Sequence, residues 1–213
     1  MKIIETHPFK EAQVDGVADY RKEFAKNKAY LIYTPGMILY YHNRYEEARD
    51  QLMKIFEDPA LIRTQDASFA AKLIVDSYTI EGDLAAVRTY TSKFLRMPFP
   101  DKTLETLESK NKQSAFLQAE AFIQLGERGK AAAAFEQYMD EFPDTEQENY
   151  KFALYNAANN YEIVGQAEKA NRLFERFVEL YPSDEWSRKL FIRIAGNYES
   201  VFDLDRAIYY YKK

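Results

Sequence analysis

Residues that commonly carry acid–base or metal chemistry are sparse in this sequence. The 213 residues include two histidines, His7 and His42, and no cysteine. Nucleophilic catalysis needs a base beside the nucleophile, and a zinc site needs several His or Cys ligands. The sequence therefore predicts no enzyme active site, no metal centre and no cofactor. A chain without cysteine forms no disulfide, and it suits both reducing and oxidising compartments.

The segment 126–130, with the sequence GERGK, is superficially similar to a phosphate-binding loop. Such a loop has a first Gly five residues before the second, and a Ser or Thr directly after the Lys. This segment lacks that first Gly, and Ala131 follows its lysine. We interpret the segment as a turn between helices, and we expect the acidic pair Asp140–Glu141 to lie on a solvent-exposed face.

Composition favours a helical protein that binds other proteins. The net charge is −5 without a basic cluster, whereas nucleic-acid binding needs dense Lys and Arg. No apolar run approaches the roughly 18 residues of a membrane-spanning helix, so we expect no direct membrane insertion. Seven Gly and seven Pro among 213 residues, without alternating Val, Ile and Thr, favour an all-α fold.

The segment 153–182 has the most regular pattern in the chain. It reads as two amphipathic helices joined by a turn at Gly165 and ended by Pro182. The small residues Ala158 and Ala170 stand where two antiparallel helices would cross, with bulky residues on either side. Small residues at a crossing allow two helices to approach closely. The segment therefore predicts a helix pair.

The same order of small, large, turn, small and large residues recurs along the chain. The small position of the second helix is filled by Ala48, Val87, Ala131, Ala170 and Ala207. These residues are 39, 44, 39 and 37 positions apart. The corresponding first-helix residues are Gly36, Val75, Ala119, Ala158 and Ala195. We interpret this as about five repeats, and we place the surplus residues in the loops after each second helix.

These five copies resemble the tetratricopeptide repeat family, whose standard repeat has 34 residues. The resemblance covers about residues 29 to 213 and implies a right-handed superhelical solenoid of antiparallel helix pairs. Longer, uneven repeats are also loosely similar to those of bacterial cell-envelope proteins. On that basis we slightly favour the periplasm or cell envelope over the cytoplasm.

The family resemblance also implies a binding groove lined by the first helix of each repeat. Carried onto this sequence, the candidate partner-binding residues include several aromatics: Tyr30, Tyr33, Tyr40, Phe69, Phe116, Phe152 and Tyr155. The polar candidates are Asn156, Asn159, Lys189 and Arg193. Aromatic side chains suit a peptide surface because they offer large contact areas at low entropic cost. The alternative is that several of them pack against the neighbouring repeat.

Some family members hold a partner's C-terminal carboxylate with a clamp of Lys, Asn and Arg. Asn156, Lys189 and Arg193 match three of its five positions, but Phe116 and Glu120 stand at the other two. The resemblance therefore implies an altered clamp. Alternatively, Glu162 or Glu199 pairs with Lys189 or Arg193 and neutralises it.

We expect residues 1–9 to be a disordered lead-in and residues 10–213 to form a single array. A first helix is predicted from about Lys10 to Asn27, and Pro35 should kink or restart the next helix. A charged helix start is predicted at 102–112, before the third repeat. Because the sequence ends inside a predicted helix, we interpret the chain as a fragment of a longer protein.

The sequence thus predicts a non-catalytic scaffold that binds a peptide or helix of a partner protein in its concave groove. Two alternatives remain open. One is self-assembly, including a homodimer, through the apolar residues of the terminal repeat, Tyr209–Tyr211. The other is a regulatory array attached to a catalytic domain outside this chain.

Overall fold

The computed structural model describes the backbone from Val17 to Lys213 and side chains from Tyr20 onward. Within these residues the regular structure is entirely helical, which confirms the predicted all-α class. The α-helices are α1 (Val17–Tyr41), α2 (Tyr45–Met53), α3 (Gln65–Glu81), α4 (Leu84–Phe94), α5 (Asp101–Gln124), α6 (Arg128–Glu141), α7 (Glu148–Ile163), α8 (Ala167–Leu180), α9 (Glu185–Ser200) and α10 (Leu204–Tyr211). A 3₁₀ helix, Lys54–Glu57, extends α2. The predicted lead-in, residues 1–9, lies outside the described residues.

The contacts group the chain into two compact units. Unit 1 comprises the residues up to Gly82 together with Ser92–Leu107, and unit 2 comprises Asp83–Thr91 and Glu108–Lys213. The predicted single array over residues 10–213, with its superhelical course, stays a prediction.

Short turns with left-handed backbone join the two helices of each pair. Gly82, Gly126 and Gly165 have φ between 75° and 76°, and Asn43 takes the same place with φ 60°. A residue with a Cβ is strained at such angles, which explains why glycine recurs there. The turn predicted at GERGK is confirmed for its first two residues, Gly126 and Glu127, whereas Arg128–Lys130 form the first turn of α6.

Unit 1 shows the helix crossing predicted at Gly36. A Cβ added to Gly36 would lie 2.6 Å from Cδ2 and Cγ of Leu52 and 3.5 Å from the carbonyl oxygen of Ala48. Leu52 and Ile55 are fully buried. The missing side chain at Gly36 therefore makes room for Leu52, and α1 and α2 pack closely because of it.

Unit 2 has a continuous core that runs through α6, α7, α8 and α9. On α7 the buried residues Ala153, Leu154, Ala157, Ala158 and Tyr161 follow a helical spacing. On α8 the spacing of Ala170, Leu173, Phe174 and Phe177 is equally regular, with the remaining face polar. These stripes allow each helix to pack against both of its neighbours.

The predicted division between two helices near residue 28 is wrong. Residues 17–41 form one helix, although separate helices were expected on either side of about residue 28, and α1 continues through the exposed Pro35 without restarting. No Gly or Pro stands near residue 28, so the backbone remains helical there. The charged helix start predicted at 102–112 agrees with α5, which begins at Asp101 and continues as a single helix of 24 residues into the third repeat. Part of the surplus in the 44-residue spacing therefore lies in α5 rather than in a loop.

Candidate partner-binding surface

The largest group of predicted binding residues meets in unit 2, on one surface of α7 and α9. We call it the α7–α9 face. It comprises Phe152, Tyr155, Asn156, Asn159 and Glu162 on α7, and Trp186, Lys189, Ile192 and Arg193 on α9. The face is aromatic toward the beginning of both helices and polar toward their ends.

Trp186 is the centre of the aromatic part. Its ring centroid lies 4.6 Å from that of Tyr155, 5.7 Å from that of Phe152 and 6.1 Å from that of Phe177, which α8 contributes. The Trp186 and Phe152 side chains are both half-buried. Because Trp186 bridges three helices and still reaches solvent, it provides a rigid aromatic platform.

An ion pair borders this platform. Nζ of Lys151 lies 3.0 Å from a carboxylate oxygen of Asp184 and within 5.8 Å of the rings of both Phe152 and Trp186. Asp184 also accepts a hydrogen bond from the backbone N–H of Trp186 at 2.9 Å and thereby caps α9. These two bonds lower the pKa of Asp184, with the backbone N–H making the larger contribution. Asp184 therefore positions both the lysine and the tryptophan.

Arg193 organises the polar part of the face. Its guanidinium donates to Oδ1 of Asn159 at 2.7 Å, to the hydroxyl of Tyr155 at 3.1 Å, and to Glu162 through both Nε and Nη2. It also lies 4.6 Å above the ring of Phe174. Burial disfavours the charge on Arg193, but the Glu162 carboxylate outweighs burial and raises the arginine pKa.

The Arg193 bonds determine what this part of the face offers to a ligand. The side-chain oxygen of Asn159 accepts a hydrogen bond from Arg193, so the amide N–H groups of Asn159 point away from Arg193. The Tyr155 oxygen also accepts from Arg193, so the Tyr155 O–H can donate to another group. Glu162 already neutralises the charge of Arg193. This is the pairing that the sequence offered as the alternative to a carboxylate clamp. Lys189 is largely exposed and pairs with Glu185 on its own helix.

Asn156 is half-buried on α7, and its backbone oxygen accepts a hydrogen bond from Asn160 at 2.7 Å. Phe116 lies elsewhere in unit 2. Its ring is 5.4 Å from that of Phe135 and 5.5 Å from that of Tyr138, so it packs mainly against α6. These contacts are those of a residue that packs against a neighbouring helix, as the sequence analysis allowed, rather than those of a residue exposed in a groove.

The remaining candidates lie in unit 1. Tyr30 is more than half exposed, whereas Tyr33 is half-buried with its ring 6.1 Å from that of Phe69 on α3. Tyr40 packs edge-on against Tyr45, with ring centroids 5.4 Å apart. Burial raises the pKa of both Tyr33 and Tyr40. Tyr33 and Phe69 thus connect α1 to α3. They stand at the repeat positions that Tyr155 and Lys189 occupy on the α7–α9 face.

Sequence reasoning missed Trp186. It stands three residues before Lys189 and therefore shares a helix face with that candidate, and it is the one tryptophan of the chain. Both signals can be read from the sequence. Trp186 was not predicted because the groove positions taken from the family begin after it.

The described residues contain no group of three or more His, Asp or Glu side chains that could hold a metal ion. His42 lies in the turn after α1, while His7 falls outside the described residues. Lys130 of the GERGK segment pairs with Glu127 at 2.9 Å. From Val17 onward, no helix is both long and apolar enough to cross a membrane.

Comparison with solved structures finds other helical-repeat proteins at low identity. MamA (AMB-1) is 17% identical, with coverage of 91% of this chain and 90% of that chain and a TM-score of 0.41. BtubC from P. vanneervenii is 16% identical, with coverage of 90% and 71% and a TM-score of 0.42. TPR-like repeats of a Podospora anserina kinesin light chain are 14% identical, with coverage of 87% and 92% and a TM-score of 0.39. Scores below 0.5 add no argument about partners or function.

The sequence comparison is more specific. No curated protein matches the chain. The tetratricopeptide repeat model matches residues 113–145 and 152–184, which correspond to most of the helix pairs α5–α6 and α7–α8. The structure shows helix pairs with glycine turns and small residues buried at the crossing positions in these same segments. Residues 113–145 and 152–184 are therefore tetratricopeptide repeats.

Proposed function

We propose that this protein is a non-catalytic interaction scaffold that holds a segment of a partner protein on the α7–α9 face. Arrays of this repeat class present extended surfaces that serve as protein-interaction scaffolds. The observation that carries the proposal is the half-buried platform of Trp186, Tyr155 and Phe152 beside the oriented donors of Tyr155 and Asn159. Such a pairing of aromatic anchors with a few oriented polar groups is typical of binding hot spots.

The ligand that fits this face is a peptide segment with an apolar side chain and a nearby hydrogen-bond acceptor. The apolar side chain contacts Trp186 and Phe152, and a carbonyl or carboxylate oxygen accepts from Tyr155 or Asn159. Arg193 keeps its ion pair with Glu162 and acts as a positioning residue in this arrangement.

Trp186 allows the proposal to be tested without knowledge of the natural partner. A phage-displayed 12-residue peptide library is selected on the protein, and the enriched peptides are titrated while the fluorescence of Trp186 is recorded. We expect saturable spectral shifts, and about tenfold or more weaker binding by Phe152→Ala and Asn159→Ala, since removing a hot-spot contact costs about 1–2 kcal/mol.

Tyr30→Ala is the matched control because Tyr30 is an exposed aromatic candidate in unit 1. It should leave the titrations unchanged. Peptides that bind both α7 variants as tightly as the unmodified protein would remove the α7–α9 face from the proposal. Peptides that bind equally well with an amidated C-terminus would remove the carboxylate clamp alone.

A further inference from the structure

The repeat register makes positions at different junctions directly comparable. At the α2–α3 junction, Arg49 stands one residue after Ala48, and its Nη1 donates to Oγ of Ser77 at 3.1 Å. At the α8–α9 junction, Asn171 stands one residue after Ala170 and accepts a hydrogen bond from Asn197 at 3.0 Å. Ser77 and Asn197 both stand two residues after the small residue of their first helix. These two positions therefore face each other where one repeat follows another.

The corresponding positions on α1 and α10 are both isoleucine. Ile208 follows Ala207 on α10, and Ile38 stands two residues after Gly36 on α1. Both are half exposed, at 51% and 50%. Each of the four internal junctions has at least one polar residue at this pair of positions: Arg49 with Ser77, Arg88 with Ala121, Ala132 with Asn160, and Asn171 with Asn197.

Leu31 also distinguishes α1 from the first helices of the later repeats. It stands five residues before Gly36 and is 71% exposed. The four equivalent residues, Ala70, Ser114, Ala153 and Leu190, are all buried, with exposures of 3% or less. A large aliphatic side chain therefore occupies α1 at a position that is covered in every later repeat.

Tyr211 on α10 is likewise exposed at a position that is buried in the other repeats. It stands four residues after Ala207 and is 54% exposed, whereas Leu52, Thr91, Phe135 and Phe174, its equivalents, are fully buried. Within the described residues, α1 and α10 thus each present one half of a repeat junction.

We infer that α10 of one copy of this chain packs against α1 of a second copy, in the register of an internal junction, with Ile208 on Ile38. The occupant is a second copy because the same chain carries both apolar halves. Six of the eight internal halves would instead bring a Ser, Arg or Asn against an isoleucine and leave its polar group without a partner. The contact is head-to-tail, so each added copy exposes a new end.

This inference is independent of the α7–α9 face, and sedimentation velocity over a concentration series tests it. The unmodified protein should show a weight-average mass that rises above the 25.0 kDa of one chain and continues past two chains. Ile208→Lys alone and the double variant Leu31→Lys/Ile38→Lys alone should each stay at 25.0 kDa. An equimolar mixture of the two should form a dimer and nothing larger, because each partner keeps one intact end.

Leu125→Lys and Ile80→Lys are the controls. Leu125 and Ile80 are exposed to 72% and 57%, comparable with the test positions, but Leu125 lies in the turn after α5 and Ile80 in the last turn of α3. Both variants should associate as the unmodified protein does. A mass of 25.0 kDa at every concentration would overturn the inference. So would self-association by either blocked variant alone, because that outcome indicates a symmetric contact of one end with itself.

Discussion

At the scale of single residues, the ion pair between Arg193 and Glu162 is the most connected polar contact in unit 2. Both side chains are about one-quarter exposed, and Asn197 donates a further hydrogen bond to Glu162 at 3.0 Å. Removing one member of a mostly buried pair leaves the other charge desolvated, which costs more than the pair itself contributes. The arginine is therefore expected to matter for folding as well as for the shape of the α7–α9 face.

Arg193→Met should lower the free energy of unfolding by about 2 kcal/mol, measured by urea denaturation, because Glu162 loses its counter-charge. The double variant Arg193→Met/Glu162→Leu should be less destabilised than the sum of the two single variants. Lys189→Met is the control, since its pair with Glu185 is exposed, and it should leave the unfolding midpoint unchanged. Additive single effects would show that the two residues do not interact.

Tyr161 links stability to pH. It is almost fully buried and donates to Glu136, and burial followed by that hydrogen bond raises its pKa to about 12. A pKa raised in the folded state stabilises the protein fully below the unfolded value of about 10, and this stabilisation is lost as pH rises toward the folded value.

The urea midpoint should therefore fall between pH 10 and pH 12 as the buried phenol is forced to ionise. Tyr161→Phe cannot ionise at this position, so its midpoint should fall less over the same range. Glu136→Gln should move ionisation of Tyr161 to lower pH, followed as tyrosinate absorbance. Parallel pH profiles for Tyr161→Phe and the unmodified protein would contradict this account.

At the scale of elements, two helical glycines differ in what surrounds them. A Cβ added at Gly36 would lie 2.6 Å from the Leu52 side chain, whereas the nearest atom to a Cβ added at Gly196, on α9, is the hydroxyl oxygen of Tyr211 at 4.0 Å. Alanine favours a helix over glycine by about 1 kcal/mol, but overpacking a core costs about 1–3 kcal/mol. The same substitution should therefore have opposite effects at these two positions.

Gly36→Ala should destabilise the protein by about 1 kcal/mol, since the clash with Leu52 exceeds the gain in helix propensity. Gly196→Ala should stabilise it by about 0.5–1 kcal/mol. Thermal and urea unfolding measure both effects. The outcome that contradicts the packing argument is stabilisation by Gly36→Ala.

The elements also show how far sequence reasoning reaches. The turn glycines, the small residues Ala158 and Ala170, and the all-α class were predictable because steric requirements at turns and crossings leave few residue choices. The length of α1 was not, because a repeat pattern marks where helices cross and carries no signal for where this helix begins. On the α7–α9 face, the positions of Tyr155 and Asn159 followed from the register. Their shared contact with Arg193 and the contribution of Trp186 required the three-dimensional packing.

At the scale of the whole molecule, stability is expected to be local, because each repeat of a repeat protein contacts mainly its sequence neighbours. Phe174→Ala removes a fully buried ring from α8 and should cost about 3–4 kcal/mol. Hydrogen exchange monitored by mass spectrometry should show faster exchange in α7, α8 and α9, and little change in α1 and α2.

Leu52→Ala is the reciprocal variant, since Leu52 is equally buried at the same repeat position on α2. It should accelerate exchange in α1 and α2 and spare α8. Uniform acceleration along the chain by either variant would mean that the protein opens as one cooperative body.

The buried hydroxyl of Thr91 has a consequence for how the chain finds its fold. Thr91 stands where Leu52, Phe135 and Phe174 stand in other repeats, and its hydroxyl lies 2.9 Å from Oδ1 of the buried Asn111 on α5. Similar repeats invite mispairing during folding, because one helix offers much the same apolar stripe as another. The Thr91 hydroxyl also lies 2.7 Å from the carbonyl oxygen of Val87 on its own helix, so Thr91 has a partner at any junction. The buried Asn111 side chain, in contrast, would lose Thr91 if α5 docked against another helix. Asn111 therefore favours one pairing of helices over its shuffled competitors.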